Sequence, residues 1–225
     1  MTAPNEIDAM KAAADVPPAP LATPKNFTAM SLAYRETISL PRLNTLAAQL
    51  GLSNNTLIQF CVGWSIKYEA YTAPMYNELW DVVGILTRSE KGDKKVLAGS
   101  EVGLFIPGGF RSRPGVTFVT EGLTDAGAAA EIGLNALGRF NAHCGADMLV
   151  KLLAGHTVYI IADNGPAGIR GATELQQAIK PAVKAASLIY IPSGARPLND
   201  LREMLCTCGK SAVLNYILTE VSKHA

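Results

Sequence analysis

Four acidic residues, Glu121, Asp125, Asp163 and Asp200, stand where carboxylates could act together. Glu121 closes the apolar stretch Val116-Thr117-Phe118-Val119-Thr120, and Gly122 and a run of small residues follow it. Asp163 closes a second stretch, Val158-Tyr159-Ile160-Ile161-Ala162, and is followed by Asn164-Gly165. Asp125 lies one helical turn beyond Glu121, so it can face the same edge. Asp200, beside Asn199, follows a third apolar run. Converging carboxylates repel one another and persist where a hard cation offsets the repulsion. Magnesium held by one or two carboxylates is the natural ion, with Mn2+ as the alternative. Such an ion neutralises charge in phosphoryl transfer. The plainer reading makes Glu121 and Asp163 helix-start acids that stabilise helix dipoles. Asp125 alone would be a first-turn surface acid and Asp200 a helix-start residue. Two acids in equivalent places on two strands keep the metal reading level with that alternative.

The elements that must position these acids follow from the hydrophobic pattern. PGVTFVTEG, LNALGRF, HTVYIIADNG and ASLIYIPSG read as strands. LTDAGAAAEIG, ADMLVKLLAG, PAGIRGATELQQAIKPAV and a last helix, PLNDLREMLC, alternate with them. Alternation of this kind implies a parallel sheet with right-handed crossovers. In such sheets ligands sit at the carboxyl ends of the strands, where Glu121 and Asp163 fall. Gly165, Gly168 and Gly171 surround a helix start and allow close approach of a phosphate or a neighbouring strand. No GK[ST] follows, so this is no Walker loop, and the first glycine spacing is wrong for a dinucleotide fingerprint.

Upstream the grammar differs. PRLNTLAAQL and SNNTLIQFCVGW are helical, with Ser53 as a plausible N-cap. They could form a DNA-reading helix-turn-helix, but the second helix carries almost no positive charge, and a plain helical hairpin is favoured. APMYNE, DVVGILTRS, KKVLAG and VGLFIP read as short strands of an antiparallel sheet. Around them cluster Arg88, Lys91, Lys94, Lys95, Arg111 and Arg113. They are either lysine guards of a sheet edge or a phosphate-contacting patch. Residues 1–26 are rich in proline and alanine and read as a flexible arm. This gives three parts: the arm at 1–26, a small α+β subdomain at 27–113, and an α/β domain with C-terminal helices at 114–225.

The chain of 225 residues is 48% hydrophobic and 17% charged, which is enough for a real core, and its net charge of +1 gives no global basic field. No apolar run approaches the roughly 20 residues that span a bilayer, and the N-terminus lacks a signal-peptide order. A cytoplasmic protein with no membrane partner is expected. Cys206 and Cys208 are spaced too tightly for a zinc knuckle, and no second pair answers them, so free thiols are the expectation.

Glu121-Gly122-Leu123-Thr124-Asp125, followed some forty residues later by Ala162-Asp163-Asn164-Gly165-Pro166-Ala167-Gly168, resembles the TOPRIM domain. The form is similar to the bacterial-type DNA primase branch, as found in phages and mobile elements. GILTRSEKGDKKVLAGSEVGLFIP resembles the text that precedes that domain, and PLNDLREML its closing element, so the likeness runs from about Ser31 to Leu205. The resemblance implies a mostly parallel TOPRIM-like sheet flanked by helices. It also implies magnesium-dependent synthesis of RNA primers on single-stranded DNA from ribonucleotide triphosphates, beside a replicative helicase. It places Glu121, Asp125 and Asp163 in catalysis, and Glu121, Asp163 and Asp200 around the metal. Arg88, Lys94, Lys95, Arg111 and Arg113 would lie against nucleic acid or nucleotide. The family's second aspartate falls at position 165, where this chain has glycine. That departure keeps open a non-catalytic module that binds DNA or a replication partner. A TOPRIM nuclease is the third reading.

Overall fold

The computed structural model describes residues 25–192 and 198–224. All but the last two residues of the proline- and alanine-rich arm lie outside the described residues.

Among the described residues, three helices come first: α1 (Phe27–Thr37), α2 (Leu40–Leu50) and α3 (Asn54–Gln59). Pro41 sits in the first turn of α2, and Gly51 ends that helix at φ 66°, its N–H bonded to the Ala47 carbonyl. Ser53 caps α3 by accepting from Thr56 N. Leu43, Leu46, Leu50 and Leu57 are buried against the sheet, so these helices form a packed hairpin. Helix α1 carries no obvious apolar stripe, since Ser31 is one of its two buried residues. Strands β1 (Gly63–Ser65), β2 (Ala70–Tyr76), β3 (Val82–Ser89), β4 (Lys94–Val96) and β5 (Leu104–Phe105) follow. Consecutive pairs of β1 to β4 are antiparallel, and β5 pairs antiparallel with β2.

The second half alternates as its pattern requires. Its elements are β6 (Val116–Glu121), α4 (Gly122–Glu131), β7 (Ala136–Arg139), α5 (Ala146–Leu152), β8 (Thr157–Ala162), α6 (Pro166–Ile179) and β9 (Ala185–Tyr190). Strands β6, β7, β8 and β9 are parallel neighbours. The chain closes with α7 (Leu201–Cys208) and a further helix, α8 (Lys210–Ser222), which the sequence pattern did not announce. Only Val213 and Ile217 of α8 are buried, too few to make a visible stripe.

The nine strands of the described residues share one sheet, in the order β4-β3-β2-β5-β7-β6-β8-β9 with β1 on β2. The two-residue strand β5 joins the antiparallel part to the parallel part, pairing with β7 through Leu104–Arg139 and Phe105–Gly138. Strand β8 shows how the layers form. Tyr159 and Ile161 enter the core under α2, α4, α7 and α8, whereas Val158 and Ile160 enter the core under α5 and α6. Burial on both faces is why β8 reads as an unbroken apolar run. Among the described residues, no helix is long and apolar enough to cross a membrane.

Candidate functional site

Each key acid sits on a tight strand-to-helix turn. Glu121 ends β6, and Gly122 turns the chain at φ 83° into α4. The turn packs hard on the next strand, because a Cβ on Gly138 would collide with the Gly122 carbonyl. Asp163 follows β8, and Gly165 turns the chain at φ 116°, ψ 156°, a region open essentially to glycine alone. Glycine is also needed at 168, where a Cβ would stand 2.6 Å from the Asp163 carbonyl oxygen. The close approach expected of this glycine-rich turn is therefore made by the chain to itself.

Neither strand-end acid makes a side-chain cap bond. Glu121 occupies the N-cap position of α4 without a side-chain cap bond, and the N-cap of α6 is Gly165, not Asp163. Among the described residues, no hydrogen-bond donor reaches either carboxylate. Asp163 is pushed up to about 8, by burial first and then by the charges of Asp125, Glu121 and Asp200, with Arg139 opposing. Asp125, 5% exposed, is pushed up to about 7 by burial and then by Asp200. It accepts 3.0 Å from Arg202 N. Asp200 does cap a helix, α7, accepting 2.6 Å from Glu203 N. The segment before α7 is tied to the β8 turn: Asn164 N donates to the Asn199 carbonyl at 2.7 Å, and Asn164 Nδ2 to the Leu198 carbonyl at 2.6 Å. Those bonds hold Asp200 in the same electrostatic neighbourhood as Asp125 and Asp163.

The arrangement is therefore graded. Asp125 and Asp200 spend oxygens on backbone N–H groups, while Glu121 and Asp163 keep theirs free. Among the described residues, no three His, Cys, Asp or Glu side chains gather tightly enough to form a cation cage. Magnesium does not need one, since it keeps several waters and takes one or two carboxylates plus substrate phosphates. Two free, mutually repelling oxygen donors at a strand-end crevice fit that ion.

Arg139 also belongs to this site, although its neighbours in the chain do not mark it. It is the register partner of Glu121 in the β6–β7 pairing. It is 4% exposed and donates 2.7 Å from Nη1 to the Ala142 carbonyl, while Nε has no partner. Burial lowers its pKa, against the raising effect of Glu121, Cys144, Asp163 and Glu174. An arginine in the short run LNALGRF carries no positional signal; only the sheet register shows that it stands beside Glu121.

The basic residues divide into two groups. Lys94 and Lys95 line a cleft of about 150 Å³ with Gly122 and Leu123, at the turn that follows Glu121. Arg88 and Lys94 line an adjoining small cavity with Leu123 and Thr124. Arg88 Nε is buried without a partner. Burial and the nearby Arg202 both lower its pKa. Arg111 and Arg113, by contrast, precede β6 and stand at the opposite end of that strand from Glu121. Six residues of strand put roughly 17–20 Å between the two ends. Cys206 and Cys208 are exposed free thiols on α7.

No family profile matches the chain, and no curated protein matches it. Solved structures do. The Aquifex aeolicus primase (zinc-binding and RNA polymerase domains) matches with a TM-score of 0.67 at 16% identity over 84% of this chain and 58% of that one. The E. coli primase catalytic core matches with a TM-score of 0.64 at 17% identity over 85% of this chain and 78% of that one. A DnaG primase catalytic domain bound to single-stranded DNA gives 0.64 at 16%, over 85% and 79%. The fold is the TOPRIM-type fold of primase catalytic cores.

Proposed function

We propose that the chain is a primase-like nucleotidyltransferase, synthesising RNA primers on single-stranded DNA from ribonucleotide triphosphates. The observation that carries the reading is the pair Glu121 and Asp163: two carboxylates without hydrogen-bond donors among the described residues, at the ends of parallel strands, on a primase core fold. Glu121 and Asp163 would hold Mg2+, or Mn2+ in its place, with Asp125 and Asp200 adding charge behind them. When bound, the ion supplies charge neutralisation for the triphosphate. Arg88, Lys94 and Lys95 then take phosphates of template or nucleotide on the Gly122–Thr124 side. Arg139, the last residue of β7, holds a positive charge beside Glu121 and limits the repulsion among the acids. A replicative helicase is the partner class this activity calls for.

Glu121→Gln keeps the shape of the side chain and removes its charge. It is expected to lower primer synthesis on single-stranded DNA with labelled ribonucleotides by about 100-fold or more. Unchanged synthesis would rule the reading out. One observation favours a second reading, a non-catalytic DNA-binding module: position 165, where TOPRIM primases carry an acid, is glycine in a backbone conformation that strains any other residue. Retained DNA binding with no primer synthesis by the wild type would select it.

A further inference from the structure

The amino ends of the parallel strands carry a second surface, built unlike the first. Phe110, Arg111, Ser112, Arg113, Val116 and Asn135 are among the residues lining an open cleft of about 640 Å³. A neighbouring cleft of about 310 Å³ shares Phe110, Arg111 and Asn135, so the two form one groove passing Phe110. The loop that lines it is held by polar groups behind it. Asn135 Oδ1 accepts 2.8 Å from Arg111 N, and Asn135 Nδ2 donates to the Arg111 carbonyl at 3.1 Å and to Thr117 Oγ1 at 3.0 Å. Thr117 bonds His156 Nδ1 at 2.9 Å, and His156 Nε2 donates to the Ser112 carbonyl at 3.2 Å. Thr117 and His156 are fully buried. All these bonds to the loop use its backbone, which leaves the Arg111 and Arg113 side chains exposed.

Aromatic surface adjoins the arginines. Trp80, 40% exposed, lies 6.0 Å from Phe110 between ring centroids. Its backbone stands at φ 69°, an unusual setting for a bulky residue. Asn77 holds that turn, its Oδ1 accepting from Leu79 N at 3.0 Å and Asp81 N at 2.9 Å. Neighbouring carboxylates are engaged: Glu78 pairs with Lys151, Glu131 with Lys210, and Asp81 accepts from Asn77 within its own turn. Among the described residues, Arg111 and Arg113 form no ion pair.

We propose that this groove binds single-stranded nucleic acid, at a contact separate from the acidic site. Phosphates lie on Arg111 and Arg113, and a base stacks against Trp80 and Phe110. Guanidinium charge beside an aromatic face is the chemistry that grips a single strand without reading its sequence. A strand touching both this groove and the Glu121 turn must extend over at least about five or six nucleotides at roughly 3.4 Å each.

The test uses the full chain, without nucleotides, and fluorescent oligothymidylates of four and sixteen residues across a salt series. Arg111→Ala/Arg113→Ala is expected to weaken binding of the longer strand about tenfold and to flatten its log–log salt slope by about 1.4, two single-strand phosphate contacts. Trp80→Ala is expected to weaken binding severalfold with the slope unchanged, as stacking requires. Asp163→Asn is expected to leave the effect of the double arginine variant in place, which separates this groove from the acidic site and from catalysis. Wild-type affinity and slope in the double variant would overturn the proposal. So would loss of binding to a polyglutamate peptide with oligonucleotide binding intact, which would make the groove an acidic-protein site.

Discussion

Helix α4 has a carboxylate problem at each of its ends, and the two ends solve it differently. At its far end, Glu131 accepts from Ser53 N at 3.0 Å, Ser53 Oγ at 2.9 Å and Lys210 Nζ at 2.6 Å, and also from Thr56. Burial works against ionisation there. The bonds from Lys210, Thr56 and Ser53 outweigh it and hold the carboxyl at about 2. At its near end, Glu121 and Asp163 have no donors among the described residues, Asp125 has few, and Asp163 stands at about 8. The same fold that satisfies one acid with four donors leaves others exposed to each other's charge. Glu131 ties α3, α4 and α8 together and serves structure. The Glu121–Asp163 end keeps carboxylates that repel one another, offset in part by Arg139, which is a setting that an ion or a phosphate-bearing substrate can complete.

Three substitutions sharpen that contrast. The largest effect is expected from Glu131→Ala, which strips the acceptor from Ser53 and Thr56. It should cost about 3 kcal/mol in denaturant unfolding and leave divalent-ion binding intact. Its carboxyl is depressed in the folded state, so its contribution is present above the ordinary carboxyl range near 4.3 and is lost as the pH falls through about 2.

Asp163→Asn should act in the opposite direction. A folded-state value raised to about 8 means the native protein binds more protons than the unfolded chain between about 4 and 8. Without divalent ions, wild-type stability therefore falls as pH rises across that window, by about 2 kcal/mol after allowance for partial exposure. The variant should lose that slope and be the more stable protein at pH 8. A variant less stable than wild type there would show that Asp163 is a structural acid like Glu131.

The smallest effect concerns Gly165. Gly165→Asp adds a carboxylate to open space, since nothing lies within 4 Å of a Cβ built there. It should tighten Mg2+ binding severalfold by calorimetry, at a stability cost of about 1 kcal/mol from the glycine-only backbone.

Much of this was legible in the sequence, for physical reasons. Strands buried on both faces, such as Val158–Ala162, leave a continuous apolar run, and in a parallel sheet the residue that ends each run faces the ligand crevice. Glu121 and Asp163 could be found that way. Arg139 could not, because its role comes from the register between β6 and β7. Arg111 and Arg113 sit close in sequence to Lys94 and Lys95, yet β5 and the loop after it carry them to the amino ends of the parallel strands. Helices α1 and α8 escaped because their buried faces are too thin to set a period. Glu131 gave no signal, since its four donors come from residues far away in the chain.

The most direct test of the acidic pair is a Mg2+ titration followed by thermal unfolding at pH 8, wild type beside Asp163→Asn. Binding to the native state alone raises Tm with ligand concentration. The expected result is a Tm that climbs with Mg2+ in the wild type and stays flat in the variant. Equal increases in both proteins, or no increase in the wild type, would contradict the assignment of Glu121 and Asp163 as the seat of a divalent ion.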